Sequence, residues 1–209
     1  SDLPPIELQA PDIGRWQAGN TGVEWVHAFD SGQPGPRVLV QALTHGNEIC
    51  GAIALDWLLR QMQQGWRPLR GRLTLAFANV EAYEAFDENQ PFDNRQLVHN
   101  LNRVWSDEWL DGTQDSPELR RARALRPVVR AADHILDIHS TSQDVTPFWV
   151  YPAFERNATV AQSIGMPSVH MVMPGGLGSG TPLIQHGLHG QASSASVALV
   201  AECGQHFLQ

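Results

Sequence analysis

Lysine is missing: all 14 basic residues of this 209-residue chain are arginine. Mechanisms that run through a Schiff-base lysine are therefore excluded. Cysteine is nearly missing too. Cys50 and Cys203 are too few for a disulfide framework and lack metal-type spacing, and Cys50 reads as a small core hydrophobe. Positive charge is in deficit, with a net charge of -8, so the chain lacks the basic face that neutralising a phosphate backbone requires. No nucleic-acid partner is expected. No run approaches the roughly 20 apolar residues of a membrane span. The start, Ser1-Asp2-Leu3-Pro4-Pro5, has no basic-then-apolar signal pattern. The expectation is a cytoplasmic protein without a membrane partner.

What is present suffices for one substantial core. With 42% hydrophobic and 17% charged residues the composition excludes wholesale disorder, and residues 1–209 are read as a single domain. Periodicity places strands at 21–29, 38–43, 72–78, 134–138, 148–151, 168–173 and 197–201. Helices are expected at 49–59, 81–86, 117–132 and 154–164, with Gly65 ending the first and Ser116-Pro117 opening the third. The strand–helix–strand order from residue 38 to 78 is a βαβ unit, hence a parallel sheet with a right-handed crossover. The polar stretch 87–115 and the Gly-rich stretch 174–194 read as long loops, which in a compact domain are usually functional.

Thr44-His45-Gly46-Asn47-Glu48 lies where a strand ends and a helix begins. In open α/β sheets ligand sites gather at the carboxyl ends of strands. Positions three apart share a side of a helical turn, so His45 and Glu48 can converge on one point. That is two thirds of a catalytic zinc site of the two-His-one-carboxylate type. The plain alternative is a helix start capped by Asn47, with Glu48 favoured by the helix dipole. His139 and Glu202 fall at two further strand ends, where each alone reads as a core histidine and a solvated acid. Together they complete a rim with three metal ligands and a spare carboxylate able to act as general base.

Four segments occur in order: His45-Gly46-Asn47-Glu48, Asn100-Leu101-Asn102-Arg103, Asp137-Ile138-His139-Ser140-Thr141 and Ala201-Glu202-Cys203-Gly204. As a set they resemble the succinylglutamate desuccinylase/aspartoacylase family of zinc carboxypeptidase-like hydrolases. The resemblance implies a three-layer α/β/α fold with a mixed, mostly parallel twisted sheet. It implies one Zn2+ per chain, held by His45, Glu48 and His139, with Glu202 as general base. It also makes Arg95 the arginine that polarises the scissile carbonyl, and Asn102 and Arg103 the pair that holds the substrate's carboxylate. Ser140 and Thr141 are further substrate-binding candidates. Asp137 is expected to accept a hydrogen bond from a liganding imidazole, His45 in preference.

The implied activity is deacylation of a small N-acyl amino acid or related N-acyl amine. A metallocarboxypeptidase acting on peptide C-termini is the nearest alternative, and a non-catalytic metal- or carboxylate-binding domain the more distant one. A homo-oligomer is compatible with the sequence. The chain departs from the family in three ways: Asn100 stands where the family has Asp, the family's C-terminal β-rich domain is not expected, and residues 174–201 contain no Tyr, Arg or acid. In that last stretch His186 and His189 are the polar substitutes, so a dicarboxylic acyl group finds no cation there. Neutral acyl groups are expected to be preferred.

Overall fold

The computed structural model describes residues 5–173 and 178–208. Seven strands form one sheet: β1 (Val26–Asp30), β2 (Arg37–Ala42), β3 (Arg72–Phe77), β4 (His134–Thr141), β5 (Phe148–Pro152), β6 (Val169–Met173) and β7 (Val197–Gln205). Their order across the sheet is β1-β3-β2-β4-β7-β5-β6. The pairs β2–β3, β2–β4, β4–β7 and β5–β6 are parallel, while β1–β3 and β5–β7 are antiparallel. The helices are α1 (Ile49–Gln63), α2 (Val80–Glu84), α3 (Asp107–Asp111), α4 (Pro117–Ala131) and α5 (Glu155–Ile164). No helix among the described residues is long and apolar enough to cross a membrane.

Strand alternation builds the three layers. Leu39, Ile135, Ala198 and Val200 point to one face, where Leu119, Ala122, Leu125 and Val129 of α4 cover them. Val40, Ala42, Leu75 and Phe77 point to the other, against Ile49, Ala52, Leu55 and Leu59 of α1. Further along that second face Val197 and Leu199 meet Ala161 of α5. Successive side chains of a strand face opposite ways, so both sheet faces are buried and the central strands read as apolar runs. Ser116 caps α4, its side chain accepting the Leu119 N–H at 3.1 Å.

Several boundaries differ from the sequence reading. The first strand begins only at Val26, because Trp25 has φ +64° and turns the chain before the ladder starts. The stretch 87–115 is not structureless: it holds 3-10 turns at Asp93–Arg95 and Leu101–Arg103 and the short α3, capped by Ser106. Residues 174–177 of the Gly-rich stretch lie outside the described residues; beyond them are 3-10 turns at Leu183–Gln185 and Gly187–Gly190. Strands β4 and β7 run past residues 138 and 201. His139 and Glu202 are consequently register partners inside a parallel ladder rather than residues beyond its end.

Helix α1 comes very close to the sheet at Gly51, where an added Cβ would lie 2.7 Å from Ala42 Cβ and 3.4 Å from Ile138 Cγ2. This contact seats the helix whose N-cap is Glu48. Gly51→Val is expected to lower stability by about 2 kcal/mol through overpacking. Urea unfolding checks this, and wild-type stability would show that α1 can slide on the sheet.

Candidate metal centre

The turn from β2 into α1 is shaped by two residues. Leu43 adopts φ +60°, redirecting the chain after the strand. At Gly46 a Cβ would lie 2.5 Å from both the Ala82 carbonyl carbon and the Asn94 oxygen, so only glycine fits. Its N–H donates to the Arg95 carbonyl at 3.0 Å, tying the motif to the loop that carries Arg95. Asn47 does not cap the helix; its Nδ2 donates to the Pro91 carbonyl at 3.1 Å. Glu48 occupies the N-cap position with its carboxylate turned inward.

That carboxylate lies between two imidazoles. His45 Nδ1 is 2.7 Å from Oε1 and His139 Nδ1 is 2.9 Å from Oε2, and all three side chains are buried. One donor atom from each residue lies within 4.8 Å of the others, so the group can hold a metal ion. The donor set of two imidazoles and one carboxylate suits a catalytic divalent cation, and the buried clustering of three such groups fits one.

Both Nδ1 atoms face the Glu48 carboxylate, while the surrounding bonds engage Nε2 of each ring. Asp137 Oδ2 accepts from His139 Nε2 at 2.7 Å, and Thr44 Oγ1 donates to Asp137 Oδ1 at 2.9 Å. This corrects the expectation that Asp137 would serve His45: Asp137 and His139 are two apart on one strand and share a face. His45 Nε2 has Asn100 Oδ1 at 3.0 Å and Arg95 Nη2 at 3.0 Å. One tautomer donates from Nδ1 to Glu48 while Arg95 donates to Nε2. The other donates from Nε2 to Asn100 and frees the Nδ1 lone pair.

Charge follows from this packing. Burial raises the Glu48 pKa, but the neighbouring His45 and His139 outweigh it and hold the carboxyl well below its usual range. Burial likewise opposes protonation of His139, yet Asp137 and Glu48 prevail and raise its pKa well above the usual value. For His45 burial wins and the pKa falls. Glu202 is pushed up to about 7, by burial first and then by Glu48 and Asp137, against the pull of His139. Its Oε2 is buried with no hydrogen-bond partner among the described residues.

The remaining candidates divide. Arg95 Nη1 donates to Glu48 Oε1 at 2.9 Å, placing its guanidinium against the triad. Arg103 donates from Nε to Ser179 Oγ at 3.1 Å and from Nη1 to the Asn102 carbonyl at 2.7 Å. Among the described residues it has no carboxylate partner, although it is partly buried near a second guanidinium, Arg95. Such a pair seeks an anion. Asn102 Oδ1 accepts from Leu183 N at 3.0 Å and fixes the loop. The Ser140 amide donates to Glu48 Oε2 at 3.2 Å, while the Thr141 hydroxyl is engaged by the Gln143 carbonyl at 2.7 Å. His186 and His189 are buried: His186 Nδ1 donates to the Trp105 carbonyl at 2.7 Å, and burial lowers both pKa values. They do not line the cleft beside the triad.

That cleft, of about 410 Å³, is bounded by Asn47, Phe92, Arg95, Ser140, Glu202 and His206 among others. His206 was not singled out from the sequence. Neither was Glu118, whose fully buried carboxylate accepts the N–H groups of Leu97 at 2.7 Å and His99 at 3.1 Å, with Val98 at 3.3 Å between them. Burial raises the Glu118 pKa, but these donors outweigh it and the group is held below the usual range. Glu118 thereby fixes the loop between Arg95 and Asn100. An acid in the first turn of a helix is ordinarily explained by the helix dipole, so no sequence pattern marks it.

Residues 34–186 match the model of the succinylglutamate desuccinylase/aspartoacylase catalytic domain. A succinylglutamate desuccinylase of Burkholderia pseudomallei is 33% identical over 106 residues, covering 50% of this chain and 28% of that protein. The fold is shared with a succinylglutamate desuccinylase from Vibrio parahaemolyticus at TM-score 0.65 and 15% identity, over 88% of this chain and 63% of that one. It is also shared with murine aminoacylase 3 at TM-score 0.60 and 23% identity, over 85% and 59%. The chain thus spans less than two thirds of the length of each of these proteins.

Glu118→Ala is expected to lower stability by about 2 kcal/mol, because charge-assisted bonds to several loop amides are lost. Hydrogen exchange at Leu97, Val98 and His99 should accelerate selectively. Unchanged exchange at those three amides would show that the loop is held by something else.

Proposed function

Because the chain belongs to the succinylglutamate desuccinylase/aspartoacylase family, a family of deacylases, we propose that it is a zinc-dependent amidohydrolase acting on small N-acyl amino acids or related N-acyl amines. The observation that carries this reading is Glu202: a half-buried carboxylate whose Oε2 is buried and unpartnered among the described residues, poised near neutrality, in the ladder position beside His139. A module that merely binds metal has no need of such a base. The matched family segment ends before residue 202, so this assignment stands on the geometry of the site.

His45, Glu48 and His139 would hold the zinc, and Asp137 would keep His139 oriented with Nδ1 inward. When bound, the metal supplies a Lewis acid that polarises the amide carbonyl and acidifies water. Arg103 takes the α-carboxylate of the amine portion, for which its fork of donors is suited. Arg95 donates to the carbonyl oxygen as negative charge develops there, an interaction that strengthens toward the transition state. Glu202 accepts a proton from the attacking water and passes it to the departing nitrogen. A C–O bond forms, the C–N bond breaks, and a carboxylic acid and an amine leave.

The acyl end is expected to be uncharged. An unpaired carboxylate buried in the cleft would cost several kcal/mol. The described cleft offers one cation, Arg95, which is already paired with Glu48. N-acetyl or short aliphatic substrates should therefore be favoured over N-succinyl ones. A cytoplasmic setting is part of the proposal and suits the two free thiols.

The test is a panel of N-acyl amino acids with zinc-loaded protein, read as released amine. Glu202→Gln should retain its metal and lose kcat by on the order of a hundredfold or more. A Gln variant with near wild-type kcat would remove Glu202 from the reaction, and a panel without turnover would overturn the hydrolytic reading.

A further inference from the structure

The sheet ends in two edge strands, and the chain treats them differently. At β1 the edge is blunted. Asn20 Oδ1 accepts the Ala28 N–H at 2.7 Å, its Nδ2 donates to the Ala28 carbonyl at 3.0 Å, and its backbone N–H donates to the Val26 carbonyl at 3.1 Å. Asn20 therefore occupies the ladder bonds that a further strand would use. The opposite edge is β6, which pairs with β5 alone. Among the described residues no side chain or loop hydrogen-bonds to the outer backbone groups of Val169–Met173.

The side chains of β6 give that edge no other protection. Val169, Met171 and Val172 are each about half exposed, as is Ile164 ahead of the strand, and Met166 is more exposed still. Val172 is the register partner of Tyr151, whose side chain lies on the α5 face, and Met171 that of Val150, whose side chain lies on the other. Both faces of the edge thus end in uncovered apolar groups. A molecule lying on one face would leave the other bare, whereas a strand added to the edge covers both and satisfies the open backbone. His170, the titratable side chain of the strand, is turned onto the Tyr151 hydroxyl at 2.8 Å. Charge is missing from the whole region: between Arg156 and Glu202 there is no Asp, Glu, Lys or Arg. Edge strands ordinarily carry such charges, because a neutral unpaired edge recruits a partner.

The same charge distribution selects the partner. Two copies of a chain with net charge -8 repel one another, and the stretch that carries β6 adds nothing to that repulsion. An acidic or basic peptide would find no counter-charge there. A twofold axis brings the same edge of two copies together antiparallel, an isologous contact of one neutral apolar strand with itself. We propose that β6 is a homodimerisation edge, pairing with β6 of a second copy so that the two sheets become one continuous sheet. The proposal goes beyond the deacylase reading and does not depend on it.

Sedimentation equilibrium of the full chain over a range of concentrations tests this. Wild type should dimerise. Met171 lies at the middle of β6, so Met171→Lys sets two ammonium groups near the twofold axis and should raise the dimer dissociation constant by about tenfold or more. Trp57→Lys replaces an exposed aromatic on α1, away from this edge, and should leave the constant unchanged. In parallel, amide exchange of residues 169–173 in wild type should slow as protein concentration rises. A wild type that stays monomeric, a dimer that Met171→Lys leaves intact, or exchange at β6 that ignores concentration overturns the proposal. The exchange measurement uses wild type, so it decides the matter if a variant fails to fold. Neither readout involves turnover, so loss of the hydrolytic reading would leave both standing.

Discussion

A carboxylate removed from water must be compensated or it neutralises. Glu48, 1% exposed, meets that demand with two imidazoles, the Arg95 guanidinium and the Ser140 amide. The four partners arrive on three separate elements: His45 on the turn after β2, Arg95 on the long loop, His139 and Ser140 on β4. The sheet order brings β2 and β4 side by side, and the close seating of α1 at Gly51 and of the turn at Gly46 sets where the carboxylate lies. Moving any of these would leave a buried charge unpaired, so the centre and the fold constrain each other.

From that centre the charge arrangement grades outward. Asp137 faces His139 on the far side, while Glu202 stays apart with its pKa near neutrality. Two carboxylates near one site have pKa values pushed in opposite directions, Glu48 down and Glu202 up, and the proposed function gives them separate tasks: one to hold the metal, the other to exchange protons. On the loop side, Glu118 anchors the segment between Arg95 and Asn100, and Arg103 has no acid beside it among the described residues. On the other side the wall is neutral, built from Asn47, Phe92 and His206.

The centre was legible because its motifs straddle element boundaries that hydrophobic periodicity marks well. A strand followed at once by an amphipathic helix puts His45 and Glu48 together whatever the rest of the chain does. The α/β/α layering was legible for the same reason. Strand ends were not: His139, Ser140 and Glu202 are polar, yet backbone ladders continue through polar side chains, so β4 and β7 run on. The motif suggests His45 as the partner of Asp137, although strand alternation alone places Asp137 and His139 on one face. Glu118 and His206 carry no local signal. Their roles depend on loop amides and a cleft wall that only tertiary packing assembles.

The central claim is that His45, Glu48 and His139 form one metal site. Equilibrium dialysis against zinc followed by elemental analysis of wild type and His139→Ala tests it most directly. Wild type should retain about one zinc per chain, and the variant should lose at least most of it at the same free zinc concentration. Wild-type protein that takes up no zinc, or a variant that retains as much as wild type, would contradict the account.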